Sequence, residues 1–306
     1  MLRLMAVFFR LGMLNELAYR ANFWVQTFES LINAIMVLGA VGVVFSQTNT
    51  LGDWMVWELT ALCGVYFIML GGINMILSPS LSQFIDDVRQ GTLDFTLTKP
   101  EDAQLLVSIS RVQMWKLLDV MLGIGVVGYA VRQLGEQISW TDASLFGVSL
   151  LLGGIIVYSF WIMLATLAFW FIRVENIFFI FWSMYNAGRW PVTIYPGWLK
   201  WILTAIVPIA FAVTVPAEAI AGRLSIDTLW LAVGLAGVLL VASRLCTHHA
   251  PTAVAWLSAW AGARPCNSAM MMPAIVQSPA PVVPTTSTSK QGAHKRHPCH
   301  ACQSSL

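Results

Sequence analysis

Charge is scarce in this sequence. Of 306 residues only 10% are charged, 17 basic against 15 acidic, while 58% are hydrophobic and the mean hydropathy is +0.72. So few polar groups cannot cover a soluble globule of this size, and the composition predicts an integral membrane protein. The basic residues are scattered among helix ends, which excludes a phosphate-tracking stripe and a nucleic-acid partner. Histidine is missing before His248, which removes the clustered His groups of a membrane enzyme. Cys63 is the one cysteine before Cys246, so no disulfide framework holds the membrane part. No G-x-x-x-x-G-K-[ST] phosphate loop occurs, so the chain is expected to bind no nucleotide itself. The first apolar run is interrupted by Arg10, and no small-residue cleavage site follows, which argues against a removable signal peptide.

What is present is a series of apolar runs. Residues 1–22 alternate apolar clusters with Arg3, Arg10, Glu16 and Arg20, the pattern of a helix lying in the headgroup region; a soluble cap is the plainer alternative. Phe23 to Phe45 carries no charge but Glu29 and is long enough to cross, and Trp54 to Leu77 returns, ended by Pro79. Met114 to Val131 reads as a third span and Leu145 to Ile172 as a fourth, in which Gly153 and Gly154 permit close helix approach. Leu229 to Ala242 is the last clean span.

Between the second and third spans lies an island of charge: Asp86, Asp87, Arg89, Asp94, Lys99, Glu101, Asp102 and Arg111. It must sit in water, where a soluble partner can push on it; a solvated face with no partner is the bland reading. Leu81, Phe84, Ile85 and Val88 fall on one helical side, so a short amphipathic helix is expected after Pro79 and before a break at Gly91. Basic residues gather in the N-terminal segment and in this island, and the turns at 47–53 and 133–142 have almost none. The positive-inside rule therefore puts the N-terminus and the island in the cytoplasm.

Residues 174–222 hold two apolar pieces, Ile177 to Tyr185 and Leu199 to Val215, the second broken by Pro208 and closed by Pro216. With Arg244 cytoplasmic, they supply one crossing between them. Either the first is a short fifth span and the second dips into the outer leaflet, or the first lies on the cytoplasmic face and the second crosses. Arg189 and Lys200 favour the latter, the prolines the former.

The run D-V-R-Q-G-T-L-D-F-T-L-T-K-P, Asp87 to Pro100, resembles the cytoplasmic G-T-L-[DE]-x-x-L-x-x-P motif of type 2 ATP-binding-cassette (ABC) transporter permeases, where it follows a coupling helix. Arg189 to Lys200 and Ala205 to Ala219 are similar to that family's proline-marked extracellular re-entrant region, and Leu17 to Phe23 to its entry into the first span. The likeness covers residues 1–244 and is strongest in a six-span branch whose permeases often pair with unlike partners. It implies an all-α membrane protein: an interfacial helix over 1–22, a six-span domain over 23–244 with the coupling loop at 79–112, a re-entrant region at 190–222, and the first solution for the fifth span. It also implies a permease subunit, an exporter in the bacterial inner membrane, driven by a separate ABC ATPase that hydrolyses ATP with Mg²⁺, and a second permease, identical or homologous, beside it. By the same likeness, Phe84, Asp86, Asp87, Arg89, Gly91, Thr92, Leu93, Asp94, Lys99 and Pro100 contact the ATPase, and Pro191, Tyr195, Pro196, Pro208 and Pro216 shape the re-entrant gate. An ion-gradient transporter is the alternative, but neither an inverted repeat nor a midplane acidic pair is found.

Glu58, Asn74, Asp119 and Glu175 are polar groups in or beside spans and hence candidate functional sites, including for a cationic substrate. Asp119 lies one turn from Lys116, the spacing of a structural pair. Trp182, Trp190, Trp198 and Trp201 read as interfacial anchors. Past Arg244 the composition changes to Pro, Ser, Thr, His and Cys, so residues 245–306 are expected to be disordered, with a reading-frame change near Leu245. His297, Cys299, His300 and Cys302 form a single compact cluster without a second spaced pair, and no metal site is expected.

Overall fold

The apolar runs become helices because a backbone in hydrocarbon must satisfy its own hydrogen bonds. The computed structural model of the chain describes residues 20–90, 111–135, 139–167 and 175–262. Residues 1–260 make one compact unit; of the second, 261–306, only 261 and 262 are described. In order, the helices are α1 (Arg20–Gln47), α2 (Val56–Gly72), α3 (Ser78–Gln90), α4 (Leu117–Leu134), α5 (Trp140–Thr166), α6 (Glu175–Ala187), α7 (Gly197–Trp201), α8 (Val215–Ile220) and α9 (Ile226–Gly262). Five of the described stretches are long and apolar enough to cross a membrane, and six if the bent pair Gly197–Ala205 and Ala210–Ile220 counts as one span.

The core forms around α2, whose residues Leu59 to Phe67 are all buried. Its contact with α4 is backbone on backbone. A Cβ on Gly64 would stand 2.7 Å from Val127 Cγ2, and one on Gly123 would stand 2.7 Å from both the Gly64 oxygen and the Ile68 nitrogen. Glycines therefore set this helix separation. Gly153 of α5 does the same against the Phe211 carbonyl, 2.7 Å from where its Cβ would be, whereas Gly154 faces open space. α1 is attached by one narrow seam, Ser30, Ala34, Val37 and Val41, at helical spacing; Ile32, Ile35, Met36 and Val43 are exposed, as suits a lipid-facing helix.

Four further expectations need correction. Pro79 does not end the second span: α2 continues through a π-turn at Ile73–Leu77 directly into α3, and residues 56–87 form one 32-residue helical stretch. In the π-turn the Ser78 N–H reaches back to the Ile73 carbonyl, so the ladder is already shifted by one residue where proline lacks its donor. Pro216 likewise does not close its piece. A π-turn at Ala210–Thr214, with the Val215 N–H on the Ala210 carbonyl, leads through it into α8. Helical backbone also continues past Arg244 to Gly262, over a segment rich in alanine, the strongest helix former. Residues 263–306 lie outside the described part, as do 1–19, where the interfacial helix is expected, and 91–110, which hold Asp94, Lys99, Glu101 and Asp102 of the charged island. The fourth span begins at Trp140, earlier than expected, because the Asp142 carboxylate accepts the Ser139 N–H at 3.2 Å and starts the helix there.

Candidate functional site

The base of the charged island is bound together by hydrogen bonds that originate in its proline. Pro79 has no N–H for the Met75 carbonyl, four residues back, and that carbonyl instead accepts the Gln113 N–H at 2.8 Å. Next in sequence, Ser80 is fully buried; its hydroxyl donates to the Arg111 carbonyl at 2.8 Å and accepts the Arg111 N–H at 3.1 Å. The strand of chain returning from the island is thus held to the helix that leaves for it. A 3-10 turn at Met114–Lys116 follows and leads directly into α4, so α2, α3 and α4 meet at one junction.

Beyond that junction α3 is amphipathic. Leu81 and Ile85 are buried, Phe84 is half-buried, and Ser82 and Asp86 are exposed. Asp87 accepts a hydrogen bond from Gln83 at 2.8 Å. The 35 residues from Val56 to Gln90 span about 52 Å at helical rise, against a hydrocarbon core of about 30 Å, so α3 is long enough to project from the bilayer. Of the residues expected to meet an ATPase, Phe84, Asp86 and Asp87 lie on this helix; Arg89 is placed there by its backbone; Gly91, Thr92, Leu93, Asp94, Lys99 and Pro100 fall outside the described residues.

At the opposite end of α2, Leu51 to Trp54 forms a tight turn with Gly52 at φ 62°, a conformation that favours glycine. Arg223 reaches this turn: Nη2 lies 2.6 Å from Glu58 Oε2, Nη1 donates to the Asp53 carbonyl at 2.6 Å, and the guanidinium stands 4.8 Å from the Trp54 ring centre. Glu58 also accepts the Met55 N–H at 2.8 Å, capping α2. Trp54 Nε1 donates to the Thr193 hydroxyl at 3.1 Å. The proline-marked segment between α6 and α9 is therefore latched to the first turn at both its ends. Within it, Pro191 is buried and accepts the Ile194 N–H, and Pro196 starts α7 by accepting from Leu199 and Lys200. The Tyr195 hydroxyl donates to the Ala187 carbonyl at 2.9 Å, and burial raises its pKa, so it stays a donor at neutral pH. Buried Pro208 sits in the break between the two short helical pieces, which meet at 79°; the residue before it, Val207, is extended as proline requires.

The interior holds a polar group that sequence inspection treats only as a charge count. Arg189 donates to Asn186 Oδ1 at 2.9 Å and to the Tyr66 hydroxyl at 3.3 Å. Tyr66 also stacks on Tyr185, at 5.4 Å between ring centres. Tyr66 is ten residues into α2, about 15 Å from its end and near the middle of a bilayer core. Trp182 belongs to the same aromatic cluster, 5.5 Å from Trp161 and 5.9 Å from Tyr185, which corrects its reading as an interfacial anchor. Trp198 and Trp201 are exposed, as anchors are. The expected pairing of Lys116 with Asp119 is present at 3.3 Å, with the ammonium 4.0 Å from the Trp115 ring centre. No signal in the sequence marks the pairings of Ser80 with Arg111, Arg189 with Tyr66 or Arg223 with Glu58, because the partners lie 31, 123 and 165 residues apart.

No group of three or more metal-ligating side chains occurs among the described residues. No curated protein and no solved structure matches this sequence. Residues 31–250, more than two thirds of the chain, match the family described as ABC-2 family transporter protein. With its long apolar helices and that match, the chain is a multi-pass membrane protein and belongs to the ABC-2 family, as a permease component of an ABC transporter.

Proposed function

We propose that the chain is the membrane half of an exporter driven by a separate ABC ATPase, which binds and hydrolyses ATP with Mg²⁺ and docks on α3 and the island beyond it. The observation that carries this reading is the junction at Pro79, Ser80, Arg111 and Gln113. A push on α3 acts at once on α2, continuous with it, and on α4, tied to it, so the two glycine-packed spans move as one body. Asp86, Asp87 and Arg89 supply the charged contacts, Phe84 an apolar one, and Gly91 to Pro100 the remainder of the docking surface. The N-terminus and the island lie in the cytoplasm of a bacterial inner-membrane protein, in keeping with the distribution of basic residues.

Tyr185 against Tyr66 supports α6 as the short fifth crossing, and the 79° bend at Pro208 supports a re-entrant second piece shaped by Pro191, Tyr195, Pro196 and Pro216. The exposed apolar faces of α1 and α9 are available to lipid and to a second permease. Affinity purification of the tagged protein from native membranes in mild detergent tests the reading. A co-purifying ATPase activity, lost when Asp86, Asp87 and Arg89 are replaced by alanine, is the expected result. Purification with no ATPase, under conditions that preserve other complexes, overturns it.

A further inference from the structure

The groups around Arg189 line a cavity of about 1000 Å³ bounded by α1, α2, α6 and the start of α4. Three features make it a built site and not a packing gap. Arg189 has only neutral partners: no carboxylate lies within 4 Å of it among the described residues, since Asp119 is taken by Lys116 and Glu58 by Arg223. A guanidinium at this depth is costly without a counter-charge. Ser30, 5% exposed and lining the cavity, has a buried hydroxyl with no hydrogen-bond partner. Of the buried side-chain polar atoms in this state among the described residues, Ser30 Oγ is the one that belongs to the cavity wall. Finally, Trp24, Phe28, Ile32 and Met36 of α1 make one wall apolar, and all four are exposed at its lipid side.

We propose that this cavity binds an amphipathic molecule with a single anionic centre, drawn sideways from the bilayer past α1. Arg189 holds the anion by charge-assisted hydrogen bonds, Ser30 and Asn74 supply neutral ones, and the tail lies along the α1 wall. A free inorganic anion would leave that apolar wall unfilled. A cation would face the guanidinium with Asp119 already neutralised. Glu29, exposed at the edge of the cavity, admits a positive substituent on the head group and opposes a second negative one. All the cavity residues of α1 but Met36 belong to its first half, and Asn74 lies toward the same end of the bundle, so the entrance opens to the leaflet where α1 begins. Naming that leaflet cytoplasmic rests on the permease reading; the binding chemistry does not.

The test is native mass spectrometry of the purified chain in a maltoside micelle, titrated with lysophosphatidylcholine, which has one phosphate and one tail. A bound adduct is expected, weakened tenfold or more in Arg189→Gln and retained in Arg189→Lys. Neither inorganic phosphate nor dodecyltrimethylammonium should displace it. Equal adducts in wild type and Arg189→Gln overturn the proposal, as does displacement by the cation; displacement by phosphate alone would make the ligand a free anion and also overturn it. If Arg189→Gln fails to fold, Ser30→Ala and Asn74→Leu each remove a polar wall group with little change in side-chain size. Unchanged binding in both then sinks the idea. Co-purification of the ATPase, measured on the same samples, is independent of these outcomes and keeps this inference separable from the permease reading.

Discussion

Replacing Ser80 by alanine should uncouple the returning chain from the helix it leaves. The Ser80 hydroxyl is fully buried and makes two hydrogen bonds to the Arg111 peptide, at 2.8 and 3.1 Å. A net hydrogen bond contributes about 0.5–1.5 kcal/mol, so losing two costs about 1–3 kcal/mol. At 1.4 kcal/mol per factor of ten, the opened form of the junction becomes roughly 5- to 150-fold more populated. Among the described residues, the Met75–Gln113 hydrogen bond would then remain at the base. Hydrogen exchange followed by mass spectrometry reads this directly: peptides spanning 111–116 should exchange about tenfold faster or more in Ser80→Ala, while peptides within 59–67 of α2 should not change. Transport-linked ATP hydrolysis should fall while the ATPase still binds, because the docking surface is intact and only transmission is loosened. Unchanged exchange at 111–116, or loss of ATPase binding along with hydrolysis, would refute the reasoning.

Gly123→Ala places a methyl 2.7 Å from the Gly64 oxygen and the Ile68 nitrogen, and backbone cannot yield as a side-chain tip can. It should cost about 1–3 kcal/mol and lower the unfolding midpoint in detergent, whereas Gly154→Ala, in open space, should leave the midpoint unchanged or raise it, alanine being the better helix former. Arg223→Ala removes the bridge to Glu58 and the bond to the Asp53 carbonyl; with the pair partly screened by exposure, the loss should be about 1–3 kcal/mol, read as faster proteolysis of the 190–225 segment. Trp198→Cys and Trp201→Cys, in a cysteine-free background, should label from outside intact cells, and Trp182→Cys should not; labelling at 182 would contradict its packing, half-buried, within the aromatic cluster. Sequencing of the 3′ end of the transcript tests the reading-frame change near Leu245, and an in-frame confirmed tail would reject it.

The long helices are legible in the sequence because hydrocarbon admits few alternatives: an apolar run such as 23–45 must be helix, and its length decides whether it spans. The Lys116–Asp119 pair is legible for a similar reason, since helical spacing alone brings the two together. Pro79 and Pro216 mislead because proline reads as a stop only when the ladder before it is α-helical. Each follows a π-turn that has already shifted the ladder, and no residue type announces such a turn. Gly153 and Gly154 look equivalent in a run of letters, yet one meets Phe211 and the other nothing, a distinction that depends on which face α5 turns to its neighbour. Glu58 is visible as an intramembrane acid, but its partner Arg223 lies 165 residues on and reveals it as a structural latch. Trp182 carries the composition of an interfacial anchor and the neighbours of a core residue.

The central claim, that a soluble ATPase drives this permease through α3 and the charged island, is tested most directly by site-specific crosslinking in native membranes. A single cysteine at Asp86, with the five native cysteines replaced, should couple through a short thiol-reactive crosslinker to a soluble ATPase, and a cysteine at Thr48 on the opposite side of the bundle should not. Capture at 86 and not at 48 is the predicted result. Capture of the ATPase at 48, or at neither position while the complex is demonstrably intact, would contradict the account.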